Sequence, residues 1–319
     1  MNKQKILISD AVEKTCAAIL EDHGFEVDYS PGLSAAQLPD KIAGCQGLIV
    51  RSATTVTADV LRHAKELKIV GRAGSGVDNI DVPAATELGI AVVNSRGANT
   101  VTTAEHTFAM MMALARRIPM AHISLVAGKW ERGEFMGVEL FKKKLGIIGL
   151  GQIGKEVARR ALAFGMTVAA YDPFLKETDF AAIGVQQQSV ADILRTSDFV
   201  TLHLPLNAET KHLISDAQFA NCKKGLRIIN VARGGVIDEG ALLRALESGQ
   251  VAGAALDVYE SEPPTGNPLV GHPFVVTTPH LGASTVDAQA NVANMIAEYV
   301  ADYLNGKDVP CLVNPGVKK

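Results

Sequence analysis

The sequence has little of several things, and each shortage excludes a class of protein. Cysteine is sparse. Cys16, Cys45, Cys222 and Cys311 are scattered through 319 residues with no C-x-x-C pair. Such scatter fits reduced thiols and no disulfide framework, and His and Cys never fall at metal-site spacing. No apolar run reaches the roughly 20 residues that span a bilayer. The start, Met1-Asn-Lys-Gln-Lys-Ile6, lacks the apolar core of a signal peptide. Charge of one sign is also missing, with a net charge of −3. The basic runs Lys142–Lys144, Lys223-Lys224 and Lys318-Lys319 are short and read as solvated loop edges, not as a nucleic-acid stripe. Low-complexity segments and short repeats are absent. The expectation is a cytoplasmic protein with no metal, no membrane anchor and no nucleic-acid partner.

What is present points to a globular protein. Hydrophobic residues make up 47% and charged residues 20%, and the length suits two domains or one large one. The most informative stretch is residues 145–172. Leu145–Ile148 reads as a short buried strand. Gly149, Gly151 and Gly154 follow at G-x-G-x-x-G spacing. Val157, Ala158, Ala161 and Leu162 then recur at helical spacing, Gly165 stops the helix, and Met166–Tyr171 is a second strand ending at Asp172.

Each part has a physical job. Gly149 allows the tight turn, Gly151 lets backbone approach a pyrophosphate, and Gly154 lets helix pack on strand. The helix start aims unpaired N–H groups and partial positive charge at the phosphates. Asp172 can accept hydrogen bonds from a ribose diol and would repel a 2′-phosphate, so NAD is expected over NADP. Strand, helix, second strand and terminal acid together carry far more weight than the glycines alone.

The first 95 residues or so alternate strands and helices, which implies a parallel sheet. Strands are expected at Lys5–Ser9, Phe25–Tyr29, Gly47–Arg51, Lys68–Arg72 and Ile90–Asn94. Helices are expected at Val12–His23, capped by Ser9 or Asp10, and at Ala35–Ala43, Thr57–Ala64 and Val82–Leu88. Two strand ends carry candidates: Arg51-Ser52, and Arg72-Ala-Gly-Ser75-Gly76-Val-Asp78, whose glycines could expose the amides of Ser75 and Gly76 to an anion. A surface arginine beside a tight turn stays an open alternative. Residues 99–127 read as a long helical stretch, much of it buried, with a Thr102-x-x-Glu105 capping box, a packed, hydrogen-bonded His106, and a kink or restart at Pro119. Trp130 suits either a subunit contact or an anchor under its loop.

After the glycine unit, strands at Phe199–Leu204, Leu226–Val231, Ala252–Leu256 and Val275–Thr278 should extend one doubly wound sheet. Helices are expected around Asp192–Arg195, at Asp216–Ala220, from the Asp238 cap to Glu247, and from Ser284 or Thr285 to Tyr303. His203-Leu204-Pro205, Arg233, Asp257 and His280 then stand at strand ends, with Glu262 on the adjoining loop. Parallel strands place such ends on one edge, where a redox site is built. Histidine suits proton transfer near neutral pH. A carboxylate can orient it. Arginine grips a substrate carboxylate with its planar fork.

These motifs resemble the D-2-hydroxyacid dehydrogenase family: Gly149-x-Gly-x-x-Gly154 with Asp172, Asn230-Val-Ala-Arg-Gly-Gly235, Asp257-Val-Tyr-Glu-Ser-Glu262-Pro-Pro, and Pro279-His280-Leu-Gly-Ala-Ser284. The likeness covers essentially the whole chain. Gly71-Arg-Ala-Gly-Ser-Gly-Val-Asp-Asn79, Gly128-Lys-Trp-Glu-Arg132 and Leu281-Gly-Ala-Ser-Thr285 are most similar to the branch that oxidises 3-phospho-D-glycerate. The resemblance implies an α/β fold of two parallel-sheet, Rossmann- or flavodoxin-like domains. The substrate-binding domain is residues 1–95 with 285–319, and the NAD-binding domain, 96–284, is inserted into it. It implies His280 as acid/base, Glu262 as its partner and Arg233 as the carboxylate anchor. Gly149, Gly151, Gln152, Ile153, Gly154, Asp172, Leu204, Pro205, Ala232, Asp257 and Gly282 are implied cofactor contacts. Arg51, Ser52, Ser75, Gly76, Arg132 and Arg233 are implied substrate contacts, with Arg51, Arg72 and Arg132 as candidates for a substrate phosphate.

The expected reaction is NAD-dependent oxidation of 3-phospho-D-glycerate to 3-phosphohydroxypyruvate, for serine synthesis, by a homodimer or homotetramer. Hydroxypyruvate or glyoxylate reduction, or another small 2-hydroxy acid, is the alternative within the family. A cofactor-sensing binding protein of the same fold is a remote one. Members of the branch often carry C-terminal regulatory domains. The chain ends at Lys319, so a form without them, and without serine feedback, is expected.

Overall fold

A computed structural model describes residues 3–317. Lys318-Lys319 and the first two residues lie outside the described part. The chain divides into two compact units, one up to Asn99 together with Ser284 onwards, the other from Thr100 to Ala283.

The first unit is a five-stranded sheet of β1 (Lys5–Ile8), β2 (Glu26–Tyr29), β3 (Gly47–Val50), β4 (Ile69–Arg72) and β5 (Ala91–Asn94). Its order is β2-β1-β3-β4-β5, and every pair is parallel. Four short helices connect the strands: α1 (Thr15–Asp22), α2 (Leu38–Ile42), α3 (Ala58–His63) and α4 (Val82–Glu87). Strands β1, β3, β4 and β5 are rich in Ile, Leu and Val because both of their faces are covered, as a parallel sheet requires, while the edge strand β2, Glu26-Val-Asp-Tyr29, is polar and partly exposed. A C-terminal helix (Val286–Leu304) returns to this unit. Its Val292, Ile296 and Val300 recur at helical spacing and are buried. Each such side chain contributes about 1.5–3 kcal/mol. Asn314 then ties the tail down, accepting from Val92 N at 2.8 Å and donating to the Ile90 carbonyl at 3.0 Å.

The second unit opens with α5 (Thr100–Arg116) and α6 (Ile118–Val126). Pro119 does start a new segment, and Arg117 makes the break with φ +52°. A 3-10 turn (Arg132–Phe135) precedes β6 (Lys144–Ile148), α7 (Gln152–Ala163), β7 (Thr167–Tyr171), α8 (Glu177–Ala181), β8 (Gln186–Gln187), α9 (Val190–Thr196) and β9 (Phe199–Leu202). Then come α10 (Asp216–Ala220), β10 (Leu226–Asn230), α11 (Glu239–Glu247), β11 (Val251–Leu256) and β12 (Val275–Thr277). The C-terminal helix is α12. Sheet order is β12-β11-β10-β9-β6-β7-β8, all parallel. The order reverses at β6 and β9, the switch point at which ligands of such sheets bind. Apolar clusters cover both faces.

Several local expectations need correction. Helix α1 starts at Thr15, not Val12, and neither Ser9 nor Asp10 caps it. Both side chains are committed elsewhere. Thr102 lies inside α5, so Thr102 and Glu105 form no capping box; Glu105 meets Arg160 at 3.4 Å instead. Lys144 is not a loop edge. It opens β6 and is half-buried, donating to Thr196 Oγ1 at 2.6 Å and Gln188 Oε1 at 3.0 Å. Trp130 is 77% exposed, which removes the reading of an anchor under its loop. Among the described residues, no helix is long and apolar enough to cross a membrane.

Candidate active site

The site begins with the glycine loop between β6 and α7. Gly149 has φ +95°, and a Cβ there would lie 2.4 Å from the His203 carbonyl oxygen. Gly154 is buried, and its Cβ would lie 2.3 Å from the Gly149 oxygen. A side chain at either place would push the turn apart. Gly151 differs, because nothing lies within 4 Å of its added Cβ. The backbone is therefore bare on the side where a ligand would approach. Gly151 caps α7 without a side-chain acceptor, leaving the first N–H groups of a 12-residue helix for an anion. Gln152 and Ile153 form that first turn. Asp172 closes the loop from β7, accepting from Leu150 N at 2.9 Å and Phe174 N at 3.0 Å. Each carboxylate oxygen accepts more than one hydrogen bond, so these amides orient Asp172 and leave capacity for a diol. The loop fits a dinucleotide.

On the other side of β6, the chain leaves β9 through His203, Leu204 and Pro205. Burial pushes the His203 imidazole pKa down to about 4, so it is neutral at physiological pH. It meets Thr201 Oγ1 at 3.2 Å.

Beyond β10, Asn230 folds the next loop back on itself. Its side chain accepts from Ala232 N at 3.0 Å and donates to the Arg233 carbonyl at 2.8 Å. Gly234 then runs against the loop after β11, where a Cβ would sit 1.7 Å from the Tyr259 oxygen. That contact presses the Arg233 loop onto the loop leading to Glu262. Arg233 Nη1 donates to the Ala232 carbonyl at 2.7 Å.

A histidine–carboxylate pair follows from two loops. Glu262 Oε2 lies 2.7 Å from His280 Nδ1, with both side chains open to solvent. Glu262 Oε1 accepts from Tyr259 N at 3.2 Å, which fixes the carboxylate. The Tyr259 hydroxyl is itself buried, its pKa raised to about 12, and donates to the Thr278 carbonyl at 3.0 Å. His280 has φ +55°, an uncommon conformation for a residue with a Cβ. Its N–H donates to the Asp257 carbonyl at 2.9 Å and the Thr278 carbonyl at 3.1 Å.

Asp257 is fully buried just beneath. Its Oδ1 accepts from Leu281 N at 2.7 Å and Thr278 Oγ1 at 2.5 Å, and its Oδ2 from Gly282 N at 2.8 Å. His106 Nε2, from α5, lies 3.2 Å from Oδ1. Burial alone would favour the neutral acid. The donors from His106, Thr278 and Leu281 outweigh it and hold the carboxyl below its ordinary range. Asp257 is thus an anion filled by hydrogen bonds. His106 is hydrogen-bonded in its helix, as expected, but its partner 151 residues away has no local sequence signal.

In the first unit, Arg51 and Ser52 follow β3, and Ser75 and Gly76 follow β4. Asp10 organises the first loop. Its Oδ2 accepts from Arg51 N at 2.6 Å, Ala53 N at 3.2 Å and Thr54 N at 3.1 Å, and its Oδ1 from Thr54 Oγ1 at 2.5 Å. Ser9 Oγ reaches Thr54 Oγ1 at 3.0 Å. Asn79 Nδ2 donates to the Arg51 and Thr54 carbonyls at 2.8 and 2.6 Å. In the second loop, Ser75 Oγ donates to Asn99 Oδ1 at 2.7 Å and its carbonyl accepts from Asn94 Nδ2 at 2.6 Å. Arg132 opens the exposed 3-10 turn. Among the described residues, no group of three His, Cys, Asp or Glu could hold a metal ion.

A parallel sheet in Rossmann order, a bare glycine loop at its switch point and a histidine–carboxylate pair at its edge define a nucleotide-dependent dehydrogenase domain. Residues 108–282 match the model of the D-isomer specific 2-hydroxyacid dehydrogenase NAD binding domain, and the chain belongs to that family. NAD is accordingly its nucleotide. Over 313 residues the chain is 51% identical to the D-3-phosphoglycerate dehydrogenase of Rattus norvegicus, an alignment covering 98% of this chain and 59% of the relative. The chain therefore spans about three fifths of the length of the curated relatives it matches. A glyoxylate reductase from Paecilomyes thermophila superimposes with a TM-score of 0.91 at 30% identity, covering 100% of both chains. The D-lactate dehydrogenase from Aquifex aeolicus, crystallised with NAD and lactic acid, gives a TM-score of 0.87 at 26% identity, covering 98% of this chain and 99% of that one.

Proposed function

We propose that the protein oxidises 3-phospho-D-glycerate to 3-phosphohydroxypyruvate with NAD, as a step toward serine. The observation that carries the chemistry is the His280–Glu262 pair at 2.7 Å. Glu262 engages Nδ1 and so leaves Nε2 to take the proton of a substrate hydroxyl. The imidazolium that results is stabilised by the same carboxylate. NAD, when bound, accepts the hydride from the substrate carbon. Arg233 holds the substrate carboxylate through its planar fork. In the reverse direction His280 returns the proton to the ketone oxygen.

Gly149, Gly151, Gln152, Ile153 and Gly154 hold the pyrophosphate and Asp172 the ribose. Leu204, Pro205, Ala232, Asp257 and Gly282 complete the cofactor contacts. Arg51, Ser52, Ser75 and Gly76 are assigned to recognition of the acid. A homodimer fits α6, a nine-residue, mostly apolar helix with no buried residue, whose Ile118, Ile123, Leu125 and Val126 are exposed, as is nearby Trp130. In such a dimer Arg132 would serve the neighbouring subunit. Light scattering giving a monomer would exclude it.

The phosphorylated substrate is supported by the likeness to 3-phosphoglycerate dehydrogenases. A second reading, reduction of glyoxylate or hydroxypyruvate, is supported by a glyoxylate reductase of matching extent. A steady-state panel of phosphorylated and unphosphorylated 2-hydroxy and 2-oxo acids with NAD(H) and NADP(H) separates them. We expect the highest kcat/KM for 3-phosphoglycerate with NAD. Equal kcat/KM for glycerate would refute the phosphate assignment, and binding of NADH without turnover of any acid would refute the enzyme reading.

A further inference from the structure

Asp257 has a donor that the reaction itself does not require. His106, on the second turn of α5, brings Nε2 to 3.2 Å from both Asp257 Oδ1 and Thr278 Oγ1. Thr278 Oγ1 donates its own proton to Asp257 Oδ1 at 2.5 Å. The hydroxyl therefore has a lone pair to offer, and a proton on His106 Nε2 is shared between carboxylate and hydroxyl. Three residues from three elements, α5, the end of β11 and the end of β12, close into one network. Its other face holds the N–H groups of Leu281 and Gly282, the two residues that follow His280.

The backbone at His280 requires such a hold. Its φ of +55° is left-handed, a conformation that costs free energy for a residue with a Cβ and that the surroundings must offset. The peptide is clamped on both sides. His280 N–H points at the Asp257 carbonyl, and the next two N–H groups point at the Asp257 carboxylate. Turning or withdrawing that carboxylate would release His280 from its 2.7 Å contact with Glu262. Space beneath is tight as well, since a Cβ on Gly282 would lie 2.9 Å from Val231 Cγ1 and 3.2 Å from Asp257 Oδ2. The Leu281 and Gly282 N–H groups thus share one carboxylate, and its orientation depends on Thr278 and His106.

We propose that His106 is a positioning residue for hydride transfer. Its Nε2–H fixes the Asp257 carboxylate, which fixes the Leu281–Gly282 backbone and so the aim of His280. This rests on the reading of His280 as acid/base. Its effect falls mainly on kcat, because the network grips the backbone behind the proton-transfer group; Asp257 and Gly282 are assigned to the cofactor as well, so NADH affinity is expected to change less than kcat.

The test uses the whole chain with NAD and its acid substrate. His106→Leu removes the donor at similar bulk, and His106→Gln returns an N–H at about the reach of Nε2. We expect His106→Leu to lower kcat by about 10–100-fold, the scale for a misaimed reacting group. NADH affinity, read by fluorescence titration, and KM for the acid should stay within about threefold, too little to signal lost binding contacts. His106→Gln should recover most of kcat. Thr278→Val should act in the same direction as His106→Leu. Should His106→Leu fail to fold, His106→Gln against Thr278→Val carries the comparison. Unchanged kcat in His106→Leu, or equal losses in KM and NADH affinity, would overturn the positioning role. If His280→Ala also leaves turnover unchanged, the acid–base reading falls instead, so the two failures are distinguishable.

Discussion

Two buried aspartates, Asp10 and Asp257, do the same structural work in different units. Each stands just past the end of a parallel strand. Each accepts four hydrogen bonds that shape a ligand-side loop. Asp10 is 3% exposed and Asp257 0%, and both buried carboxyls have their oxygens filled by donors. The difference lies in what those donors belong to. Asp10 gathers its donors from one continuous segment, Arg51 to Thr54. Asp257 gathers Thr278, Leu281 and Gly282 from one loop and His106 from a separate helix, and its loop carries a histidine in a left-handed conformation. A carboxylate held by the amides of a single loop would suit recognition, where small adjustments are tolerated. A carboxylate that a separate helix also grips would suit proton transfer, where aim decides rate.

The comparison can be broken by removing each hub. Asp257→Leu should have the largest effect. It strands buried donors and should cost about 3–5 kcal/mol, with kcat falling steeply. Thermal or urea unfolding and steady-state kinetics measure both. Because Asp257 has its pKa lowered, its contribution is present above the unfolded value of about 3.9 and is lost as pH falls through the folded value. Asp10→Leu should cost less, about 1–3 kcal/mol, since the freed amides of Arg51, Ala53 and Thr54 sit on a partly exposed loop that can take up water. Its kinetic signature should be a raised KM for the acid with kcat largely spared. A matching kcat loss in both variants would erase the distinction between the two loops.

A smaller effect comes from His203, which no loop uses as a hub. Its folded pKa is pushed down to about 4, while the unfolded chain takes up a proton near about 6.5. Between those values the unfolded state binds a proton that the folded state refuses. Stability present above the upper value therefore falls as pH drops through that window. Tm measured from pH 7 to 4.5 should decline less steeply in His203→Gln than in the parent. Parallel slopes would contradict this assignment.

Much of the fold was legible because its signals are local. Most strands of both sheets are short apolar runs; the edge strands β2 and β8 are the polar exceptions. Thr57, Asp238 and Thr285 accept from the third residue beyond, as their positions before apolar-periodic stretches imply. The glycine loop was legible because each glycine answers a different backbone demand. What escaped was long-range or competitive. Ser9 and Asp10 read as alternative caps of α1, but both face a loop more than 40 residues onward, and α1 starts at Thr15. The His106–Asp257 pair spans 151 residues. The left-handed turn at His280 carries no glycine to announce it. Short elements such as α8 and β8 were overlooked because a few polar residues carry no periodicity.

The central claim is that His280, held by Glu262 on an NAD-binding sheet, moves the substrate proton. Single-turnover hydride transfer in His280→Ala, followed by NADH absorbance beside NADH binding by fluorescence, tests it most directly. The account predicts a fall of about 10²–10⁴-fold in the transfer rate with NADH affinity unchanged. An unchanged transfer rate in a variant that still binds NADH would contradict it.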